Sequence, residues 1–280
     1  MRQTFALWLI AFIITLMLAA YQRVTGPTYP AEGKVKFAGR EIEYNFDRNH
    51  SGEGDHKITI NMNDINVEGA LYWKRYKTND EWRVVKMKND NGVLTGVLPH
   101  QPPAGKLVYK VELSRGNEVV AVPELKPVVI RFKGYVPLYL LIPHIFCMFT
   151  AMLLSTRTGL EVFNEKPHYK NFTLWTIAFL FLGGIILGPI AQYYAFGEFW
   201  TGIPFGIDLT DNKTLIAFVG WLIAAYGVFH RSNPKKWIIF ASVLLIAVYL
   251  IPHSTLGNEL NYNKLDKQKN KIENQQEFQD

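Results

Sequence analysis

The side chain most suggestive of chemistry is His144, which follows Pro143 inside an apolar run from Val136 to Ser155. An ionisable group in such a run is costly unless it meets water, a partner or a cofactor. Two uses fit it: a heme ligand or proton relay, or a neutral imidazole hydrogen-bonded to a neighbouring helix beside the kink Pro143 makes. A bis-histidine heme needs a second histidine at the same depth. His253 falls at one end of the last apolar run, and His168 and His230 lie at the opposite edge, so none matches. His168 and His230 could share a metal, but nothing in their spacing requires one, and solvated interfacial imidazoles are the simpler reading.

The second chemical stretch is FWTGIPFGIDLTDNK, from Phe199 to Lys213, which packs aromatics, turn-formers and two acids into fifteen residues. Phe199 and Trp200 suit an aromatic belt at a membrane surface, and Thr210 or Asp211 is expected to cap the helix that follows. Trp200, Phe205, Asp208 and Asp211 are therefore binding or interface candidates. Tyr21 and Tyr29 join them, because they flank a Pro- and Gly-bearing segment on the same expected face, as does His253. No set of residues with catalytic or metal-ligating spacing is found, and Cys147 is the single cysteine, which leaves no Cys-x-x-Cys pair for heme attachment, zinc or redox exchange.

The elements that must position these residues separate cleanly along the chain. Residues Phe5–Ala20 form an apolar run preceded by Arg2, which fits a cleaved signal peptide or an uncleaved signal anchor; the anchor is the expectation, because Leu18-Ala19-Ala20 is a poor cleavage site and Tyr21 follows at once. Four further runs, about Val136–Ser155, Phe172–Tyr194, Thr214–His230 and Trp237–Ile251, bring the expectation to about five transmembrane helices. Between Gln22 and Gly134 the pattern changes to period two: Ile42, Tyr44 and Phe46; Ile58, Ile60 and Met62; Leu107, Tyr109, Val111 and Leu113; Val128, Ile130 and Phe132. Such alternation marks strands with one buried and one wet face. Turn-formers break the series, for example Asn89-Asp90-Asn91-Gly92 and Pro102-Pro103-Ala104-Gly105.

Charge supplies the orientation. Arg157, Lys166 and Lys170 fall between the second and third runs, and Arg231, Lys235 and Lys236 between the fourth and fifth. Residues Ala195–Asn212 hold no Lys or Arg. The positive-inside rule then places the amino terminus in the cytoplasm, with the β domain and carboxyl terminus outside. A net charge of +6 suggests nucleic acid, but no Lys/Arg run exists to bind it.

Two resemblances follow from these residues. The segment Ala70-Leu71-Tyr72-Trp73-Lys74-Arg75-Tyr76, with Trp82, Met87, Gly92, Leu98-Pro99 and residues Pro103–Val111, resembles an immunoglobulin-like or fibronectin-type-III-like module. Over residues 33–133 this implies a β-sandwich, and it implies no activity. The Phe199–Lys213 stretch partly resembles the tryptophan-rich external motif of cytochrome c assembly and heme-handling membrane proteins, at Trp200, Gly202 and Asp208. That family's further tryptophans, Asp-Pro pair and flanking heme-ligand histidines have no counterpart here.

The expectation is a membrane α-helical bundle with an inserted extracytoplasmic all-β, immunoglobulin-like sandwich. Its parts are a signal anchor (1–21), the β domain (22–134, with a Pro-rich linker over 22–32), a four-helix bundle (135–253) and a polar, loosely held external tail (254–280). The expected function is a non-enzymatic accessory, assembly or scaffold subunit in the cell membrane, its partners the bilayer and other envelope proteins. No cofactor is expected. A heme- or quinone-associated redox or assembly protein is the alternative, and a carrier or receptor for a small apolar ligand is a third.

Overall fold

The computed structural model describes residues 2–252, 257 and 259–277, and these form two compact units. One unit combines the first helix with the chain from Val136. The other combines Thr28–Tyr135 with the chain from Glu259.

The first unit is helical. Helix α1 (Arg2–Thr25) runs past Ala20 into the expected linker, because no helix breaker occurs before Gly26-Pro27. It is followed in this unit by α2 (Leu138–Leu160), α3 (Tyr169–Leu180), α4 (Gly188–Phe196), α5 (Leu209–His230) and α6 (Lys235–Leu250). A π-helical turn over Phe181–Leu187 joins α3 to α4 without a break. Among the described residues, four stretches are long and apolar enough to cross a membrane: Gln3–Thr25, Leu138–Phe163, Tyr169–Phe196 and Leu209–His230. The fifth expected run forms α6, which has 16 residues between Pro234 and Pro252 and is shorter than these four.

Small residues set the helix packing. Ala151, Ala217, Ala224 and Ala241 alternate with Met152, Leu180, Trp221 and Leu245 in one buried cluster. At Gly183 an added Cβ would lie 2.8 Å from the Cys147 Cβ, so the close approach of α2 to the π-helical turn requires glycine there. Outside this cluster the surface is apolar, with Phe5, Phe12, Ile142, Trp175 and Phe240 exposed.

Among the described residues the second unit contains eleven strands: β1 (Ala31–Phe37), β2 (Arg40–Phe46), β3 (Asn49–Ser51), β4 (His56–Asn61), β5 (Glu68–Arg75), β6 (Arg83–Lys86), β7 (Lys88–Asp90), β8 (Val93–Leu98), β9 (Lys106–Arg115), β10 (Glu118–Val122) and β11 (Val128–Lys133). They form three sheets: a β1–β2 hairpin, a β4–β8–β7 sheet, and a larger sheet ordered β3–β11–β9–β5–β6 with β10 also on β9. Every pairing is antiparallel except β3 with β11. The arrangement is compatible with a β-sandwich.

The period-two pattern holds residue by residue. In β9, Leu107, Tyr109, Val111 and Leu113 are all fully buried, while the residues between them are not. They join Val35, Phe37, Phe46, Ile60, Leu71 and Phe132 in one apolar core. The Tyr109 hydroxyl donates to the Asp47 carbonyl at 2.9 Å, which satisfies the one polar atom that this buried ring carries.

The polar tail, expected as a loose extension from 254, carries a seventh helix, α7 (Tyr262–Glu277). Its start is held within the β unit. Glu259 pairs with Lys77 at 2.9 Å, Asp266 with Arg75 at 2.9 Å, and the buried Tyr262 hydroxyl lies 3.0 Å from Gln101 Oε1. Burial pushes the Tyr262 phenol up to about 12. Sequence polarity hid this docking because it uses a few anchors rather than an apolar stripe.

Candidate functional site

The loop from Phe199 to Asp208 is built around one buried carboxylate. Asp211, 5% exposed in the first turn of α5, accepts from the Thr201 amide at 2.6 Å, the Gly202 amide at 3.0 Å and Gln192 Nε2 at 3.1 Å. Asp208, rather than Thr210 or Asp211, is the cap: its carboxylate accepts from the Thr210 amide at 2.7 Å. Asn212 takes the Ile203 amide at 2.7 Å, and the Trp200 indole donates to the Ile203 carbonyl at 3.0 Å. Gly202 is sterically required, since a Cβ there would lie 2.7 Å from both Asn212 Oδ1 and Asp211 Cβ.

These bonds tie the loop to the start of α5, and its polar residues serve its own backbone. What it presents outward is apolar: Phe205 and Ile207 are 81% and 80% exposed. Phe199 stacks on Tyr193 with ring centres 4.3 Å apart. Next to the loop, the buried Lys213 ammonium donates to the Ile251 carbonyl at 3.0 Å, which caps the end of α6.

The other expected residues do not all gather here. Tyr21 is exposed on α1. Tyr29 belongs to the β unit, where its hydroxyl lies 3.4 Å from Glu32. His253 lies outside the described residues. His144 sits elsewhere in the bundle, and its Nδ1 donates to the Gly183 carbonyl at 2.9 Å. That carbonyl also receives the Gly188 amide through the π-helical bond. The hydrogen bond to a neighbouring helix, one of the two uses read from the sequence, is thus present.

A second polar centre escaped the sequence reading. Arg157, expected in a loop as an orientation-setting charge, lies within α2 and is 1% exposed. It is ion-paired with Glu161, one turn on and fully buried. The Arg157 guanidinium lies against the rings of Trp8 and Phe172, 5.4 and 5.1 Å from their centres, and the two rings pack edge-on against each other. Glu161 also accepts from Asn164 Nδ2 and the His168 amide, each at 2.9 Å. The i, i+4 spacing of opposite charges at the end of an apolar run was the available signal. Ser155 adds to the polar interior: its hydroxyl accepts from the Trp221 indole at 3.2 Å, and its carbonyl accepts from Ser242 at 3.0 Å.

Among the described residues, no group of three or more His, Cys, Asp or Glu side chains is placed to hold a metal ion. No protein-family model matches the chain, and no curated protein matches it.

Proposed function

We propose that this chain is an integral membrane protein whose helical unit anchors an extracytoplasmic, immunoglobulin-like β domain. It acts as a non-enzymatic accessory or assembly subunit of a membrane complex. The carrying observation is the Phe199–Asp208 loop, whose backbone is locked by Asp208, Asp211 and Asn212 while Phe205 and Ile207 stand in the open. A rigid backbone holding exposed apolar side chains suits docking, because little conformational entropy remains to be lost on binding. The partner is a second membrane protein contacting this loop.

The membrane reading is supported by the four long apolar stretches and the apolar exterior of the bundle. Sidedness follows from charge even without Arg157. Lys166, Lys170, Arg231, Lys235 and Lys236 mark the cytoplasmic side, and the Lys- and Arg-free stretch Ala195–Asn212 marks the outside of the cell membrane. The immunoglobulin-like assignment is supported by antiparallel sheets closing on one core.

A photo-crosslinking residue at 205 or 207, activated in native membranes, tests the proposal. A discrete crosslinked protein, lost when the other position is changed to Ser, is the expected result. Crosslinks to lipid alone overturn it.

One observation favours a second reading, heme or quinone association. Donation of the His144 Nδ1 proton to Gly183 leaves Nε2 with its lone pair, the form in which imidazoles ligate metals. A Soret band in the purified protein, absent in His144→Ala, supports this reading, and a spectrum featureless above the aromatic band removes it.

A further inference from the structure

Strand β3 is held at the edge of the large sheet by little backbone. It has three residues and pairs with β11 at Asn49–Arg131, His50–Phe132 and Ser51–Lys133. The Arg131 amide donates to the Arg48 carbonyl at 3.1 Å, and the Gly52 amide donates to the Lys133 carbonyl at 3.0 Å. The side chain that ties this strand down is His50. Its ring packs on Phe132 of β11, with centres 5.3 Å apart, and its Nδ1 lies 3.1 Å from the Nδ1 of His56, which opens β4.

The hydrogen-bond pattern fixes the protons of the pair. His50 Nε2 is 3.1 Å from the Gly54 carbonyl, which can only accept, so this nitrogen carries a hydrogen. Neutral His50 then has a bare Nδ1, and His56 Nδ1 donates to it. The pair can take up one proton without rearranging, on His56 Nε2, which faces Asp47 Oδ2 at 3.9 Å. A second proton has only the bare Nδ1 of His50 to enter. Two N–H donors would then oppose each other at 3.1 Å, and the contact must open.

We propose that the His50–His56 pair is an acid-operated latch: a positive charge on each imidazole breaks the bond between them and releases β3 from β11. Release leaves β11 as a bare sheet edge, whose free N–H and C=O groups can pair with another strand. In the orientation proposed above, the latch senses acidity outside the cell membrane.

The surrounding charges favour opening in acid. Asp47 is the carboxylate that faces the pair. In the turn, Asp55 accepts from the His100 amide at 2.8 Å, and Glu53 is exposed. On β11, Arg131 and Lys133 flank Phe132 and add positive charge, and Lys57 beside His56 is exposed. His100 Nδ1 donates to the same Gly54 carbonyl as His50, at 3.0 Å, so a third imidazole adjoins the pair. Burial and the neighbouring His50 hold the His56 imidazole below its ordinary range, and Asp47 acts in the opposite sense. Because the folded value lies below the unfolded value of about 6.5, the contribution of His56 is present above about pH 6.5 and is lost as pH falls through the folded value.

Hydrogen exchange of the full-length chain in detergent tests the latch, read at the Gly52 and Arg131 amides and corrected for the intrinsic pH dependence of exchange. Between about pH 7.5 and about pH 5, protection at both amides should fall about tenfold or more, with the steepness of a two-proton event. His50→Asn keeps an acceptor for His56 but takes up no proton, so protection should hold at its neutral-pH level throughout. His56→Asn carries an amide that can donate to His50 or turn to accept from it. It should abolish the fall in the same way, and it serves if His50→Asn does not fold. His100→Asn keeps a donor for Gly54 and lies outside the pair, so the fall should remain. Protection that stays constant in the unmodified chain overturns the proposal. So does a fall that persists in His50→Asn or His56→Asn, or one that His100→Asn removes.

Discussion

The two units bury an apolar core alike but place their charges differently. In the helical unit Arg157, Glu161, Asp211 and Lys213 are all buried, while Phe, Ile and Leu side chains cover the outside. In the β unit the core is apolar, and pairs such as Lys86–Glu68 and Lys88–Asp90 lie exposed on the surface. A charge repels apolar surroundings in both settings. The difference is that the bundle's exterior is itself apolar, so these four charges turn inward onto one another and onto free backbone groups. That inversion supports a lipid-facing exterior for one unit and a water-facing exterior for the other.

Removing charges tests the inversion most sharply. Arg157→Ala leaves Glu161 buried without its cation and should cost about 3–5 kcal/mol, whereas the double variant Arg157→Met/Glu161→Leu should recover most of it. Thermal and denaturant melts of the detergent-solubilised chain measure both. A loss in Arg157→Ala below about 1 kcal/mol would mean the pair is hydrated and the comparison fails.

Next in size is Asp211→Ala, which strips the acceptor from the Thr201 and Gly202 amides. Leaving buried donors unpaired should cost about 3 kcal/mol, and faster proteolysis between Trp200 and Asp208 should accompany it. In the β unit, Tyr109→Phe loses a single hydrogen bond to the Asp47 carbonyl, and about 1 kcal/mol is expected from equilibrium unfolding.

The smallest effects belong to the β surface. Lys86→Ala breaks an exposed pair with Glu68 and should change stability by less than about 1 kcal/mol. Acid should act through Asp80, whose carboxyl is held below the usual carboxylate range by its hydrogen bond to Arg75. Because its folded value lies below the unfolded value of about 3.9, its contribution is present above about pH 4 and is lost as pH falls through the folded value. Asp80→Asn should flatten the acid limb of a stability–pH curve, and an unchanged limb would assign acid sensitivity to other groups.

How much of this could be read beforehand differs from residue to residue. The alternation from Leu107 to Leu113 identified β9 and its buried face directly, because a strand's period shows in adjacent letters. The role of Asp211 was half legible: its place near a helix start suggested capping, but Asp208 takes that role and Asp211 instead binds amides nine and ten residues earlier.

Taken alone, the sequence determined where the apolar runs lie, where the strands alternate and which loops lack positive charge. These are properties of neighbouring letters and local periodicity. Tertiary structure decided the partners: Arg157 on Glu161 and against two rings, Asp211 on a distant loop, and α7 held to β-unit residues nearly two hundred positions earlier, as in Arg75 with Asp266. A polar side chain's role depends on which donor or acceptor reaches it within about 3 Å, and that is set by chain segments far apart in sequence.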